Sequence, residues 1–292
     1  MKYEFPKSVP EGGLYVKREK GQLSFKLSGN SNPRLKSVRA LIELTCDTRD
    51  VQCDFPVLYF DAQDQPFKLQ GVVDTVSPNY PAYTLSTSEK GNFEHANLYP
   101  DYIFDKWDGV YDDYEEYRIG IMSRSVRKPT TAALGWIGSV NCGVRERYVK
   151  LAREVGKDRL FYRSIAWTAD PSEFRKINAT KFMTLADQVS RFKYMFDMRG
   201  LGYTGRTKLL FFSHRPIFLC TPFKEYWYDR IEPWVHYVPV KPDLSDLLEN
   251  LDRVDADSSL ARSLANNAWE FGNENLTRDH ALDEYTLILN KH

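Results

Sequence analysis

Short apolar runs of strand length alternate along this chain with segments of helical periodicity. Residues 55–60 and 134–138 are compact runs of apolar and aromatic residues, and their length and composition are typical of buried strands. The segments 34–45 and 144–155 instead carry apolar residues at helical spacing. Because buried strands that alternate with amphipathic helices form parallel sheets with helices on both faces, the sequence predicts an α/β fold.

The same alternation continues to the end of the chain. The pattern predicts further strands at 160–162 and 216–219, and helices from about 184 and over 206–212, 244–254, 258–271 and 282–289. The segment 193–199 is a poor candidate for a strand. A polar run at 124–129 is typical of a connection between domains. We therefore expect one domain over 1–130, a second over 131–275, and a C-terminal helix in 276–292 that packs back on the first.

Composition and charge disfavour several classes of protein. Forty Lys and Arg residues balance 40 Asp and Glu residues, so the chain has no global attraction for nucleic acid or anionic lipid. No apolar run approaches the ~18 residues of a membrane span, and the first residues do not form a signal peptide. The four cysteines form no CxxC pair or zinc pattern. We expect a soluble cytoplasmic protein with at most peripheral membrane association.

One glycine-rich segment, with Gly200, Gly202 and Gly205, matches the pattern G-x-G-x-x-G. After a strand and before a helix, that pattern marks a dinucleotide-binding fold, so an NAD-dependent oxidoreductase is one function it allows. Glycines also let a backbone approach any phosphate closely, and Arg206 and Lys208 add positive charge beside them. Phosphate binding and a plain glycine-rich turn both remain open.

A second turn with similar chemistry lies between the predicted strand at 134–138 and the helix that follows it. It holds the hydroxyl of Ser139 and the guanidinium groups of Arg145 and Arg147. The planar fork of arginine pairs well with phosphate oxygens, so two such turns could hold a diphosphate from two sides. The alternative is that both arginines are exposed helix charges.

Two carboxylates follow the predicted strand at 55–60. Asp61 and Asp64 stand where ligands bind in open α/β sheets, beyond the carboxyl ends of the strands. A carboxylate at such a position can accept a proton from an attacking hydroxyl as a general base. The alternative is a simple turn cap ahead of Pro66, and the residues alone leave open which aspartate would act.

Three segments near the C-terminus, 194–200, 201–206 and 233–245, form a specific combination, and the last of them reads PWVHYVPVKPDLS. This combination resembles the C-terminal signature of glycosyltransferase family 90. The family includes protein O-glucosyltransferases, capsule-associated xylosyltransferases and lipopolysaccharide-modifying enzymes. The resemblance is firm over 181–276, thinner over 83–152, and is not traceable before residue 55.

The resemblance implies a GT-B fold, with two Rossmann-like domains that face each other across a cleft. It further implies an inverting transferase that moves glucose, xylose or galactose from a UDP-sugar to a glycan or glycolipid, without a metal or other cofactor. The family's catalytic aspartate, which lies in an Asp-x-Pro turn, falls on Asp64. The family's UDP-sugar-binding residues fall on Ser139, Arg145, Leu201, Gly202, Tyr203, Thr204, Gly205, Arg206 and Glu225.

Two departures from the family pattern bear on this interpretation. Ile137 stands where the family often has arginine, so one positive charge is missing from the turn before Ser139. Lumenal members carry secretion and retention signals and paired cysteines, so their absence here implies a cytoplasmic member. The high content of aromatic residues, with 18 Tyr, 17 Phe and 6 Trp, also suits a non-catalytic glycan-binding protein, which remains an alternative.

Overall fold

The computed structural model describes residues 3–29, 32–63, 76, 78–88, 96–166, 170–178 and 180–292. Contacts divide the chain into two compact units. The first unit comprises Met1–Trp107, Phe223–Tyr228 and Thr277–His292, and the second comprises Asp108–Pro222 and Asp229–Leu276. Each unit contains a five-stranded sheet. The domain boundaries near residues 130 and 275 stay a prediction from the sequence.

The first unit has a mixed sheet in the order β2-β1-β3-β4-β6. Its strands are β1 Gly13–Glu19, β2 Gln22–Leu27, β3 Phe55–Asp61, β4 Ala82–Thr84 and β6 Ala96–Leu98. The first three pair antiparallel, whereas β3, β4 and β6 pair parallel. A separate antiparallel pair joins β5 Thr87–Ser88 to β11 Phe223–Lys224.

Helix α1, Pro33–Thr48, packs against the sheet of this unit and against the last helix of the chain. Asn32 caps α1 by accepting a hydrogen bond from the backbone N–H of Arg34, and Val38 and Leu41 are among its buried residues. Every residue of β3 is buried. The predicted helix at 34–45 and strand at 55–60 are thus confirmed, because their apolar spacing is that of the faces they bury.

The second unit has an all-parallel sheet in the order β12-β10-β9-β7-β8. Its strands are β7 Thr131–Gly138, β8 Leu160–Ser164, β9 Phe192–Met198, β10 Ile217–Cys220 and β12 Val238–Pro239. The chain goes from β7 to β8 on one side and then to β9 on the other side. This reversal of strand order makes a topological switch point between β7 and β9, where ligands bind in open α/β sheets.

Helices cover both faces of this sheet, as predicted for an α/β fold. On one face, Val144 and Tyr148 of the helix after β7 join a core that contains Leu134 and Phe196. On the other face, Ile137 packs in a smaller apolar cluster. The helices of the unit are α2 Tyr114–Ser125, α3 Gly143–Val155, α4 Pro171–Asn178, α5 Leu185–Arg191, α6 Thr207–Leu210, α7 Leu247–Ala256 and α8 Ser258–Asn275; helix α9, Arg278–Asn290, belongs to the first unit.

The poor strand signal at 193–199 is the main prediction that the structure overturns. Residues 192–198 form β9, which lies in the sheet between β7 and β10. Polar residues interrupt its apolar pattern because they have partners outside the strand: Lys193 pairs with Asp255, and Asp197 pairs with Arg206.

The other predicted strands and helices named above are confirmed, with ends that differ by a few residues. In the described ranges, no helix has the length and apolar character needed to span a membrane.

Candidate active site

Two loops leave the sheet of the second unit at the switch point between β7 and β9. The first loop runs from Ser139 into α3 and carries Arg145, and the second runs through Gly200 and Gly205 to Arg206 and α6. The carboxyl ends of neighbouring parallel strands meet at one edge of a sheet, so the two loops lie side by side. The structure therefore brings together the two turns that the sequence singled out separately.

The Arg145 side chain is buried between the two loops. One terminal nitrogen donates to the carbonyl oxygen of Ser139 at 2.8 Å and to Asn141 Oδ1 at 3.2 Å, and the other donates to the carbonyl oxygen of Met198 at 3.2 Å. A Cβ atom at Gly200 would lie only 3.2 Å from this guanidinium, so a glycine there allows the close approach. The interpretation of Arg145 as an exposed helix charge is therefore wrong.

Arg206 is held by a buried carboxylate and by the neighbouring strand. Its Nε donates to Asp197 Oδ1 at 2.8 Å, a terminal nitrogen lies 2.7 Å from the same oxygen, and the other terminal nitrogen donates to the carbonyl oxygen of Ile137. The hydroxyls of Thr204 and Thr207 donate to Asp197 Oδ2. Asp197 on β9 thus links the second loop to its arginine, and the arginine in turn contacts β7.

Both guanidinium groups contact the ring of Trp136 on β7. The guanidinium carbon lies 5.4 Å from the ring centroid in Arg145 and 5.8 Å in Arg206, within the range of cation–π interaction. The ring is itself buried, and a Cβ atom at Gly138 would lie 2.6 Å from it. Trp136 therefore forms an apolar floor under the two cations.

The charges at this site do not balance. Burial, together with repulsion from Arg206, lowers the pKa of Arg145 to about 10, so Arg145 is cationic at neutral pH. Asp197 pairs with Arg206, whereas Arg145 donates to carbonyl and amide oxygens, and within the described part of the chain Arg145 Nε has no hydrogen-bond partner. An excess of buried positive charge with an unused N–H donor suits an anion such as a diphosphate.

The remaining predicted residues of the second unit form the loop between β9 and Arg206. Leu201 is exposed, whereas Gly202, Tyr203 and Gly205 are buried. The loop is closed by a hydrogen bond from the backbone N–H of Gly200 to the carbonyl oxygen of Gly202 at 3.1 Å. The α6 helix that follows has four residues, so it adds little of the N-terminal dipole that longer helices offer.

Two predicted site residues lie outside these two loops in the sequence. Asp64 lies outside the described residues, so its role stays a prediction. Glu225 is buried in the first unit, just after β11, and its proposed contact with ribose also stays a prediction. The missing charge at Ile137 is explained by packing, since this side chain lies with Ile165 and Phe174 in an apolar cluster.

Asp61, the other candidate base, is the last residue of β3. Its side chain is fully buried at the end of β3. Oδ2 accepts a hydrogen bond from the Tyr59 hydroxyl at 2.9 Å, and Oδ1 accepts one from the backbone N–H of Gln63 at 2.8 Å. Burial raises its pKa to about 7, against the opposing effect of these two hydrogen bonds. Both oxygens are therefore occupied by neighbours within the first unit.

Sequence reasoning missed three residues that shape this site: Trp136, Asn141 and Asp197. Asn141 and Trp136 were passed over because an amide in a turn and an aromatic residue in a strand are common in any α/β protein. Asp197 did carry a signal, since it is an acidic residue inside the apolar run 192–198. Acidic residues are almost never fully buried unless they are paired, so it should have suggested a buried partner.

Comparison with known proteins supports the family resemblance. The profile of Glycosyl transferase family 90 matches residues 49–292. Protein O-glucosyltransferase 1 of Rattus norvegicus is 30% identical over 240 residues, which cover 73% of this chain and 59% of the relative. The protein of the same name from Homo sapiens is 28% identical over 232 residues, with coverage of 72% and 58%. The chain thus spans less than two thirds of the length of these curated relatives.

Among solved structures, HepE of Anabaena in complex with UDP and glucose superposes with a TM-score of 0.50 at 10% identity, and covers 89% of this chain and 77% of its own. Such low identity bears on the fold alone, and it agrees with the predicted GT-B class. The family profile covers most of the chain, including the arginine loops and the segment PWVHYVPVKPDLS. The chain therefore belongs to glycosyl transferase family 90.

Proposed function

We propose that this protein is an inverting glycosyltransferase that moves glucose, xylose or galactose from a UDP-sugar to a hydroxyl of a glycan or glycolipid. The observation that carries the proposal is the presence of two arginines, the buried Arg145 and the half-buried Arg206, at the switch point of the second unit. The relatives described above are named O-glucosyltransferases, so UDP-glucose is the first donor to test. Membership of a glycosyltransferase family favours this function over the NAD-dependent oxidoreductase that the glycine pattern alone allows.

In this proposal the two arginines stabilise the departing UDP. When the bond between the sugar and the diphosphate breaks, negative charge grows on the phosphate oxygens. Fixed cationic donors in a site with little water stabilise that charge more than water would, because they need no reorganisation. With two guanidinium groups already in place, we propose that transfer needs no metal ion and no other cofactor.

The chain also contains a D-x-D pattern, Asp255 and Asp257, whose carboxylates have structural roles. Asp255 accepts hydrogen bonds from Lys193 at 2.5 Å and from the Tyr194 hydroxyl at 2.6 Å. Asp257 caps α8 by accepting two backbone N–H groups, each at 2.9 Å. Among the described residues, no group of three or more His, Cys, Asp or Glu side chains is arranged to hold a metal ion. Metal independence stays a prediction that an EDTA experiment tests.

Inversion requires the acceptor oxygen to attack the anomeric carbon from the face opposite UDP, as in inverting glycoside hydrolysis. We propose that Asp64 accepts the proton of that hydroxyl, a step typically worth about 10²–10⁴-fold in rate. Asp61, the alternative base, is fully buried and both of its oxygens accept hydrogen bonds from Tyr59 and Gln63. This arrangement favours Asp64.

Ligand-induced thermal stabilisation tests the proposed function. The melting temperature should rise with UDP concentration and should not respond to NAD or free glucose, because only a ligand of the folded state stabilises it. Arg145→Ala should weaken the response to UDP, whereas the matched variant Arg147→Ala should not, since Arg147 is exposed and donates to the carbonyl oxygen of Pro242. Stabilisation by NAD, or by free sugars without UDP, would favour one of the two alternative functions.

Transfer itself is then measured as UDP release from UDP-glucose, UDP-xylose and UDP-galactose, with and without glycan acceptors. Asp64→Asn should abolish transfer but keep UDP binding, because the base acts on the acceptor and not on the donor. Turnover should survive EDTA. Full activity of Asp64→Asn would remove Asp64 from its role, and loss of turnover in EDTA would contradict the metal-free mechanism.

A further inference from the structure

Asp197 is a fully buried carboxylate that lies directly behind Arg206. Its side chain stands in β9, and both of its oxygens are occupied: Oδ1 by the Arg206 guanidinium, Oδ2 by the hydroxyls of Thr204 and Thr207. Both hydroxyls belong to the segment that carries Arg206. One carboxylate therefore fixes the segment and its arginine together.

The geometry restricts what Arg206 can do. The Asp197 oxygen faces the edge of the guanidinium formed by Nε and one terminal nitrogen, at 2.8 and 2.7 Å. The other terminal nitrogen donates to the carbonyl oxygen of Ile137 on β7. With its side chain held at both ends, Arg206 keeps a single orientation, and a preorganised cation loses less entropy when it binds a ligand.

The same contact reduces the positive charge that a ligand meets. A neutral acceptor, such as an amide oxygen, would also orient the Nε–H of Arg206. A carboxylate at 2.7 Å in addition cancels much of the guanidinium charge, and such interactions are screened only weakly in a buried site. Arg145, in contrast, is held by carbonyl and amide oxygens and keeps its full charge.

We propose that Asp197 is a positioning residue that orients Arg206 and, through its negative charge, limits the affinity of the site for UDP so that the product leaves after transfer. This inference rests on the proposed function. A transferase gains nothing from binding its leaving group as tightly as its transition state, since interactions made equally in both states do not raise the turnover number. A buried counter-charge weakens the attraction for the fully charged product.

The test compares Asp197→Asn with the unaltered protein in titrations with UDP and with uridine. Asparagine keeps the shape of the side chain and an oxygen that can accept from Arg206 Nε, but it removes the charge. We expect Asp197→Asn to bind UDP about tenfold more tightly or better, with a matching fall in the inhibition constant of UDP as product. The affinity for uridine, which has no phosphate, should stay the same.

Two further variants separate charge from simple structural damage. Asp252→Asn removes a negative charge from an exposed pair with Arg159 in the same unit, and it should leave UDP affinity unchanged. Thr207→Val keeps the Asp197 charge but removes a hydroxyl that neutralises part of it, so UDP should bind several-fold more weakly. This second variant decides the question if Asp197→Asn does not fold.

The outcomes are distinguishable. If the unaltered protein fails to bind UDP, both the proposed function and this inference are overturned. If it binds UDP but folded Asp197→Asn binds with equal or lower affinity, the inference alone is overturned and the transferase proposal stands. If Asp197→Asn cannot be purified, Thr207→Val decides the question. Unchanged UDP affinity in Thr207→Val would then overturn the inference.

Discussion

Replacing Asp61 by asparagine should make the protein more stable at alkaline pH. The Asp61 carboxyl is fully buried, and burial raises its pKa from the ordinary value of 3.8 to about 7. Asparagine has nearly the same shape and keeps an oxygen that can accept the backbone N–H of Gln63. Its amide can also donate to the Tyr59 hydroxyl, which donates to the carboxylate in the native protein.

The sign and size of the effect follow from proton linkage. Because the folded-state pKa is the higher one, the folded protein binds the proton more tightly than the unfolded chain, and stability is lost as the pH rises from 3.8 towards 7. Each tenfold difference in proton affinity is worth about 1.4 kcal/mol, so the complete loss is about 4 kcal/mol. Between pH 5 and pH 8 the loss is about 2.5 kcal/mol, and Asp61→Asn abolishes it.

Urea unfolding of both proteins at pH 5 and pH 8 measures this difference. The free energy of unfolding of Asp61→Asn, relative to the native protein, should increase by about 2.5 kcal/mol between the two pH values, since all other titrating groups cancel in the comparison. Asp54→Asn is a control that should show almost no difference between the two pH values, because hydrogen bonds from the backbone N–H groups of Gly21 and Lys20 lower the pKa of that exposed carboxyl from 3.8, so its titration lies below this pH range. If the native protein and Asp61→Asn lost equal stability between pH 5 and pH 8, the reasoning would be refuted. Loss of transfer in Asp61→Asn would make Asp61 the base.

Three other substitutions test the packing of the second unit. Gly135→Ala should lower the free energy of unfolding by at least about 2 kcal/mol, because its Cβ would lie 2.2 Å from the Phe192 ring. Gly120→Ala, inside α2 with no atom of the described structure within 4 Å of the new Cβ, should instead raise it by about 0.5–1 kcal/mol. Arg215→Ala should cost about 3–5 kcal/mol, since this buried guanidinium donates to four backbone carbonyl oxygens. Urea unfolding checks all three, and a stable Gly135→Ala protein would contradict the tight contact with Phe192.

Elements with a local signal were predictable from the sequence. The apolar run of β3 and the helical spacing in α1 identify buried faces directly. The β1–β2 hairpin was not predicted, although Lys20 and Gly21 at its turn both have positive φ values of 52° and 77°. Its turn reads Lys-Gly, not the Asn-Gly or Asp-Gly that marks such hairpins most clearly. Strand β9 was missed for another reason, since its polar residues pair with side chains outside the strand, Lys193 with Asp255 and Asp197 with Arg206.

The candidate site was only partly predictable for a related reason. Arg145 and Arg206 follow strand-like segments, so their position near ligand phosphates could be proposed from the sequence. Their contacts could not be predicted, because each arginine donates to an oxygen atom that belongs to a distant segment. Arg145 uses the carbonyl oxygen of Met198, and Arg206 uses that of Ile137. No periodicity or local motif encodes such a contact.

These two contacts cross between neighbouring strands. Arg145 follows β7 but is held at the end of β9, whereas Arg206 follows β9 but is held at the end of β7. The crossing is possible only because β8 lies on the far side of β7 and leaves β7 and β9 adjacent. Removing Arg145 therefore leaves the carbonyl oxygen of Met198, beside the loop of Arg206, without its donor. Removing Arg206 leaves the carbonyl oxygen of Ile137, beside the loop of Arg145, without its donor. Either loss costs free energy when that oxygen is buried. It follows that the first loop, with Arg145, and the second loop, with Arg206, depend on each other. The effects of substitutions in the two loops on UDP binding should therefore not be additive.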